Sequence, residues 1–314
     1  MMNFMITQLQ STIFGKDGTK MKKSGIVFIL ASLLLAGAAM LLRKLELLTV
    51  LDAGGLPVFK PVTGVLIALS VLAAVFYLLF ARHEVEKPAD RASFTAFRSL
   101  GVPGVILGAV SLVIQLLGAW LLFREWKNAG GTLYLVLALL AGLAGAGWLC
   151  LRVEEYRGMK PGGSRFLAGC FVTLFYCLWL ITYYRDEAAE PAQILTVYAF
   201  LALCACCVAG YAYTGGSVGR MRPRFALFFC GLALYLSLIA TVRQEAGAYR
   251  IFWLAAALQF CQSGLVLLSP GDPESAPESA EPDPSEPEDT PEPAEPEEEP
   301  GEEAEPPAPE GEEG

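Results

Sequence analysis

Residues 101–123, with the sequence GVPGVILGAVSLVIQLLGAWLLF, determine the fold class of this chain. The stretch contains no charged residue. An α-helix rises about 1.5 Å per residue, so about 20 mostly apolar residues cross the roughly 30 Å hydrocarbon core of a bilayer. Such a segment must be helical, because a lipid-exposed strand or loop would leave backbone N–H and C=O groups unpaired. The stretch therefore predicts a transmembrane helix.

Seven more runs of similar length and apolarity occur along the chain, and together they predict an all-α, polytopic membrane protein. The eight predicted spans are residues 24–42, 61–81, 101–123, 131–151, 166–184, 191–213, 225–242 and 249–268. The chain is 54% hydrophobic and its mean hydropathy is +0.47, which excludes a soluble globular enzyme and a disulfide scaffold.

The charge is unevenly distributed along the 314 residues. Residues 270–314 contain 19 acidic residues, 13 of the 20 prolines and no Lys or Arg, so the net charge of −9 combines a body of +10 with a tail of −19. So few apolar residues cannot offset the entropy of ordering, and we expect a disordered tail over 269–314. A short basic lead over 1–23 precedes the bundle of 24–268, and Met21 is an alternative start. No basic surface pattern indicates nucleic-acid binding.

The orientation of the spans follows from the Lys and Arg residues between them. Fifteen basic residues fall on the side that includes both termini and eight on the other side. The positive-inside rule therefore predicts that both termini are cytoplasmic. The short loops suggest a bacterial plasma membrane. The first span resembles a secretory signal, with Ala36-Gly37-Ala38 as the cleavage site, and cleavage would leave seven spans. An uncleaved anchor is preferred because the apolar run continues to Leu42.

Polar groups inside the spans are the first place to look for function in a membrane protein. The predicted boundaries place every Asp and Glu in a loop or in the tail, and no ionisable residue in a span interior. Gln115 in the third span and Gln259, Gln262 and Ser263 in the eighth remain as candidates. The last three share a helix face. They are predicted either to line a solute path or to form hydrogen bonds between helices, and the second is preferred.

Glycines in the third and fourth spans predict close helix packing within the monomer rather than dimerisation. They are Gly104, Gly108, Gly142, Gly145 and Gly147.

No motif predicts catalysis, a cofactor or a metal. The cluster Cys204-Ala205-Cys206-Cys207 lacks a nearby His, so the cysteines are interpreted as small apolar residues. Residues 215–219 match G-x-S-x-G, but no His follows them that could activate the serine. They are interpreted as a flexible turn beside Arg220, Arg222 and Arg224, which are candidates for contact with anionic lipid.

These features favour a non-enzymatic membrane component, either a scaffold or accessory subunit or a lipid sensor. Membrane lipids are its expected partners, together with an unidentified membrane or cytoplasmic protein. A transporter or permease for a neutral or amphipathic solute is the alternative, and it would use polar side chains of the bundle. A closed apolar bundle would favour the first hypothesis, and a continuous polar cavity would favour the second.

Overall fold

The protein is described here by a computed structural model. The described residues are 23–50, 61–84, 100–129, 131–158, 162–187, 196–218, 222–242 and 247–269. Almost all of the predicted lead and almost all of the predicted tail lie outside these residues.

The described chain is helical throughout and forms eight helices, each long and apolar enough to cross a membrane. The helices are α1 (Lys23–Val50), α2 (Pro61–Glu84), α3 (Gly101–Ala129), α4 (Thr132–Tyr156), α5 (Gly163–Glu187), α6 (Val197–Thr214), α7 (Pro223–Ala240) and α8 (Ala248–Leu268). The prediction of a multi-span, all-α membrane protein is confirmed.

Helices α1 to α5 extend beyond the predicted spans, and in α1 and α4 the extension contains a buried ion pair. The first span was predicted to end at residue 42, but α1 continues through Arg43 and Glu46, whose side chains pair one turn apart on the same helix. The fourth was predicted to end at residue 151, but α4 continues through Arg152 and Glu155, which pair in the same way. An ion pair at this spacing supports a helix instead of ending it.

The last six helices form a closed ring in which α3 packs on α4, α4 on α5, α5 on α6, α6 on α7, α7 on α8 and α8 on α3. Helices α1 and α2 pack on each other and on α7, and α1 also contacts α8. As a result α8 is the most enclosed span, with 78% of its most apolar window buried, against 22% for α2. Helix α8 therefore carries the interior face of the bundle.

Helix α1 is packed into this bundle through its own side chains. The ring of Phe28 lies 6.0 Å from the ring of Tyr77 in α2, and the hydroxyl of Tyr77 donates to Ser32 Oγ at 2.9 Å. Phe28 also fills the space beside Gly264 of α8. The apolar residues of the segment that resembles a signal sequence thus contribute to the core.

Glycines bring α4 close to both of its neighbours. At Gly145 an added Cβ would lie 3.0 Å from Leu112 and 3.3 Å from Gln115, both in α3. At Gly147 it would lie 2.8 Å from the backbone carbonyl oxygen of Ala168 in α5. These glycines pack helices within one chain.

Candidate functional site

Buried ionisable side chains lie near the ends of two helices, so the prediction that every Asp and Glu falls in a loop or in the tail is wrong. Arg152, Glu154 and Glu155 are buried in α4, and Arg43 and Glu46 are buried in α1. The prediction failed because a charged residue after an apolar run looks like the start of a loop. In the folded protein Arg43 pairs with Glu46, and Arg152 pairs with Glu155.

The largest group of them is named here the arginine cluster and consists of Arg152, Glu155, Arg165, Tyr213 and Ser263. Glu155 Oε2 accepts from Arg152 Nη1 at 2.8 Å, and its Oε1 accepts from Arg165 Nη2 at 3.1 Å. The hydroxyl of Tyr213 also donates to Oε1, and Arg152 Nη2 donates to Ser263 Oγ at 3.3 Å. The cluster thus joins α4, α5, α6 and α8 by polar contacts.

The sequence positions these groups through helical spacing and one glycine. Trp148, Arg152 and Glu155 are four and three residues apart, which places them on one face of α4. The Arg152 guanidinium lies 4.8 Å from the Trp148 ring centroid and 5.2 Å from that of Tyr213. Its aliphatic stem passes Gly108 of α3, where an added Cβ would lie 3.0 Å from Arg152 Cγ. A larger residue at position 108 would displace the guanidinium.

Polar contacts continue from the arginine cluster toward the middle of the bundle. Trp148 Nε1 donates to Gln262 Oε1 at 3.3 Å. The Tyr176 hydroxyl donates to Gln259 Oε1 at 2.7 Å, and Gln259 Nε2 donates to Gln115 Oε1 at 2.6 Å. The structure therefore places Gln115, Gln259, Gln262 and Ser263 in hydrogen bonds between helices, along one side of α8. Together with the arginine cluster they form a polar column.

Within the residues that the structure describes, four buried N–H groups of the polar column have no hydrogen-bond acceptor, and they belong to Gln115, Arg152, Arg165 and Gln262. In the described part of the chain, eight buried side-chain polar atoms have no partner, and six of them are N–H groups. The six are Gln115 Nε2, Arg152 Nε, Arg165 Nη1, Trp179 Nε1, Trp253 Nε1 and Gln262 Nε2, and the other two are the hydroxyls of Ser24 and Ser111. Among the described residues, none of the eight atoms without a partner is a carboxylate or amide oxygen.

Aromatic rings fill the bundle beyond the column, toward the end where α8 begins. Trp179 of α5 lies 4.3 Å from Trp253 and 5.4 Å from Phe252, measured between ring centroids. Past them Asp186 accepts from Tyr134 at 2.9 Å and from Tyr249 at 3.0 Å, which ties α4, α5 and α8 together. The packed rings thus lie between the polar column and Asp186.

A second feature faces the lipid. It is an apolar groove of about 480 Å³ with α7 at its base and α2 and α6 as its walls. The groove is lined by Glu46, Thr63, Ile67, Ser70, Val71, Ala74, Val197, Tyr198, Leu201, Cys204, Ala205, Val208, Phe229, Leu232 and Leu236. Val71 and Leu201 on its rim are 58% and 49% exposed, so the groove opens on the outer surface of the bundle.

The polar residues of the groove gather at one end. Glu46 comes near the end of α1, Thr63 near the start of α2 and Tyr198 near the start of α6. Glu46 pairs with Arg43, whose guanidinium lies 5.1 Å from the Tyr198 ring centroid. From Tyr198 to Val208 the wall formed by α6 rises by ten residue steps, or about 15 Å. No sequence pattern indicated this groove.

The remaining predicted positions fall at the ends of helices. Arg222 is exposed at the start of α7 and Arg224 is half-buried, whereas Arg220 lies outside the described residues. Residues 215–218 form a 3₁₀ turn that continues from α6, without the strand that a nucleophile turn requires. The eight cysteines are free thiols, of which Cys206 and Cys230 are buried and Cys204 lines the groove. Among the described residues no group of three metal-binding side chains occurs.

No protein-family model matches this sequence, and no curated protein or solved structure is detectably similar to it. The function has to be inferred from the side chains of the chain itself.

Proposed function

We propose that this integral membrane protein is a non-enzymatic lipid-binding component, a lipid-sensing scaffold or accessory subunit whose groove holds one acyl chain of a phospholipid. The groove between α2, α6 and α7 carries this proposal. Its length of about 15 Å is half the hydrocarbon thickness of a bilayer, which is the depth of one leaflet. Acyl chains surround the protein in a membrane, and an apolar groove of this volume is within the usual size of a ligand site.

The polar end of the groove suits the head of a zwitterionic phospholipid. Arg43 and Glu46 carry opposite charges, so the net charge of the pair is zero. A phosphate and an ammonium in one headgroup match such a pair, whereas an anionic headgroup offers nothing to Glu46. Phosphatidylethanolamine has this chemistry and is the ligand that we propose.

The proposed orientation in the membrane, with both termini in the cytoplasm, rests on the basic residues between the helices. Arg43, Arg152 and Arg165 are buried in the bundle and do not count as loop charges. Without them 13 basic residues lie on the side of the termini and 7 on the other. The bias keeps its sign, which supports our proposal that both termini are cytoplasmic in a bacterial plasma membrane; the polar end of the groove would then face the outer leaflet.

Filling the groove is expected to remove the lipid. Leu201→Trp places an indole among the lining residues, while Leu139→Trp makes the same change at an exposed position of α4 outside the groove. Native mass spectrometry of protein released from phosphatidylethanolamine nanodiscs should show one retained lipid on the wild type and on Leu139→Trp. Occupancy should fall about tenfold or more in Leu201→Trp, which corresponds to a loss of at least about 1.4 kcal/mol. Equal lipid retention by the two variants would contradict the proposal.

The part of the polar column in the middle of the bundle favours a second candidate, a transporter for a neutral or amphipathic solute. Tyr176, Gln259 and Gln115 lie near the midpoints of their helices and are linked by hydrogen bonds. The packed rings of Trp179 and Trp253 favour the lipid-binding component instead, because they fill the interior on one side of these hydrogen-bonded side chains. Solute uptake by proteoliposomes that depends on Gln259 would favour transport.

A further inference from the structure

The arginine cluster contains two cationic side chains and one anionic side chain. The side chains of Arg152 and Glu155 are 1% and 2% exposed, and that of Arg165 is 7% exposed. All three are therefore largely removed from solvent, and the cluster carries one uncompensated positive charge. Buried charges in proteins are ordinarily paired, because desolvating an unpaired charge is costly.

The hydrogen bonds of the cluster show the same imbalance. Glu155 Oε2 accepts from Arg152, and Glu155 Oε1 already accepts from both Arg165 and Tyr213. Arg152 Nε and Arg165 Nη1 remain buried without an acceptor. The cluster thus has two guanidinium donors to spare and no carboxylate oxygen that is not already in use.

The neighbouring carboxylate does not correct this imbalance. Glu154 is buried as well, but its recorded hydrogen bond is from Cys150 Sγ at 3.5 Å, and among the described residues it forms no ion pair. Water could accept hydrogen bonds from Arg152 Nε and Arg165 Nη1, but it carries no charge. An anion supplies both the acceptors and the missing charge.

The cluster lies close to the surface of the bundle on one side. Arg165 is the third residue of α5, and Gly163 and Ser164 before it are exposed. An anion could therefore approach the cluster at the start of α5.

We infer that Arg165 and Arg152 form a binding site for an oxyanion, meaning the phosphate or carboxylate group of a small solute or a lipid headgroup. Guanidinium groups recognise both anions through paired, charge-assisted hydrogen bonds. This site is separate from the groove and does not depend on the proposed function.

The test measures the Tm of the full chain in nanodiscs and uses two sources of phosphate. In one arm, phosphatidylcholine nanodiscs are titrated with inorganic phosphate, with sodium chloride at matched ionic strength as the comparison. In the other arm, phosphate is omitted and phosphatidylglycerol replaces part of the phosphatidylcholine. A ligand that binds only the folded state raises the Tm as its site fills. We expect a saturable rise of several degrees in at least one arm, and the responding arm identifies the free anion or the headgroup as the source.

Variants of Arg165 separate binding from stability. In Arg165→Gln the rise in Tm should disappear. Arg165→Lys keeps the positive charge beside Glu155 but loses the planar guanidinium, so the midpoint, the ligand concentration at half of the Tm rise, should be at least about tenfold higher. If Arg165→Gln does not fold, Arg165→Lys alone is compared with the wild type. Arg222→Gln, which removes an exposed arginine at the start of α7, should respond like the wild type.

Two results would overturn the inference. One is a wild-type Tm that responds to neither phosphate nor phosphatidylglycerol beyond the chloride comparison. The other is an Arg165→Lys variant with the same midpoint as the wild type, since that would place the bound anion elsewhere.

Discussion

Glu155→Leu is expected to lower the free energy of unfolding by about 3–5 kcal/mol, the usual cost of removing one partner from a buried ion pair. Glu155 is the only carboxylate of the described residues that contacts Arg152 and Arg165, so its loss leaves two buried guanidinium groups without a counter-charge. The hydroxyl of Tyr213 loses its acceptor as well. Unfolding in mixed micelles with increasing SDS, followed by tryptophan fluorescence, measures the change.

Glu154→Leu is the matched control for this prediction. Glu154 lies next to Glu155 on α4, and both residues are 6% exposed. Its hydrogen bond from Cys150 is long, at 3.5 Å, so the substitution should change the free energy of unfolding by less than about 1 kcal/mol. Similar stabilities for the two variants would show that the arginine cluster does not hold the helices together.

Gly147→Ala is expected to lower the free energy of unfolding by about 1–3 kcal/mol, the usual cost of overpacking. The added Cβ would lie 2.8 Å from the carbonyl oxygen of Ala168, and a backbone atom cannot rotate away as a side chain can. Helices α4 and α5 must then separate, which also moves Glu155 relative to Arg165. The same SDS titration measures the loss.

Gly142→Ala serves as the control on the same helix. Its new Cβ would meet only Leu116 Cδ2, at the ordinary contact distance of 3.7 Å. Alanine is favoured over glycine in a helix by about 1 kcal/mol, so this variant should be at least as stable as the wild type. If Gly147→Ala had the same free energy of unfolding as Gly142→Ala, the backbone near Ala168 would have to move away from α4 at no cost, which would contradict the prediction.

The fold class was predictable because apolar runs such as 101–123 are long enough to cross a bilayer and cannot be anything but helical there. Helix ends were less predictable. Arg43 and Arg152 each follow an apolar run, and sequence alone reads such a residue as the start of a loop. The missed signal was the spacing, since each arginine has a glutamate three residues later on the same helix face.

The polar column was partly visible in the sequence. The spacing of Gln259, Gln262 and Ser263 identified the face of α8 that points inward. Their partners, Tyr176 and Trp148, could not be identified, because nothing in a single helix specifies which neighbour it meets. The groove was beyond prediction for the same reason, since its walls α2 and α6 are not consecutive in the chain.

The central claim, that the groove between α2, α6 and α7 holds a phospholipid chain, is tested most directly by a cryo-EM structure of the full chain in phosphatidylethanolamine nanodiscs. We predict continuous elongated density along α7 for about 15 Å, with its wider end beside Arg43, Glu46 and Tyr198. A groove filled by residues of the chain itself, or closed by contact between α2 and α6, would contradict the claim.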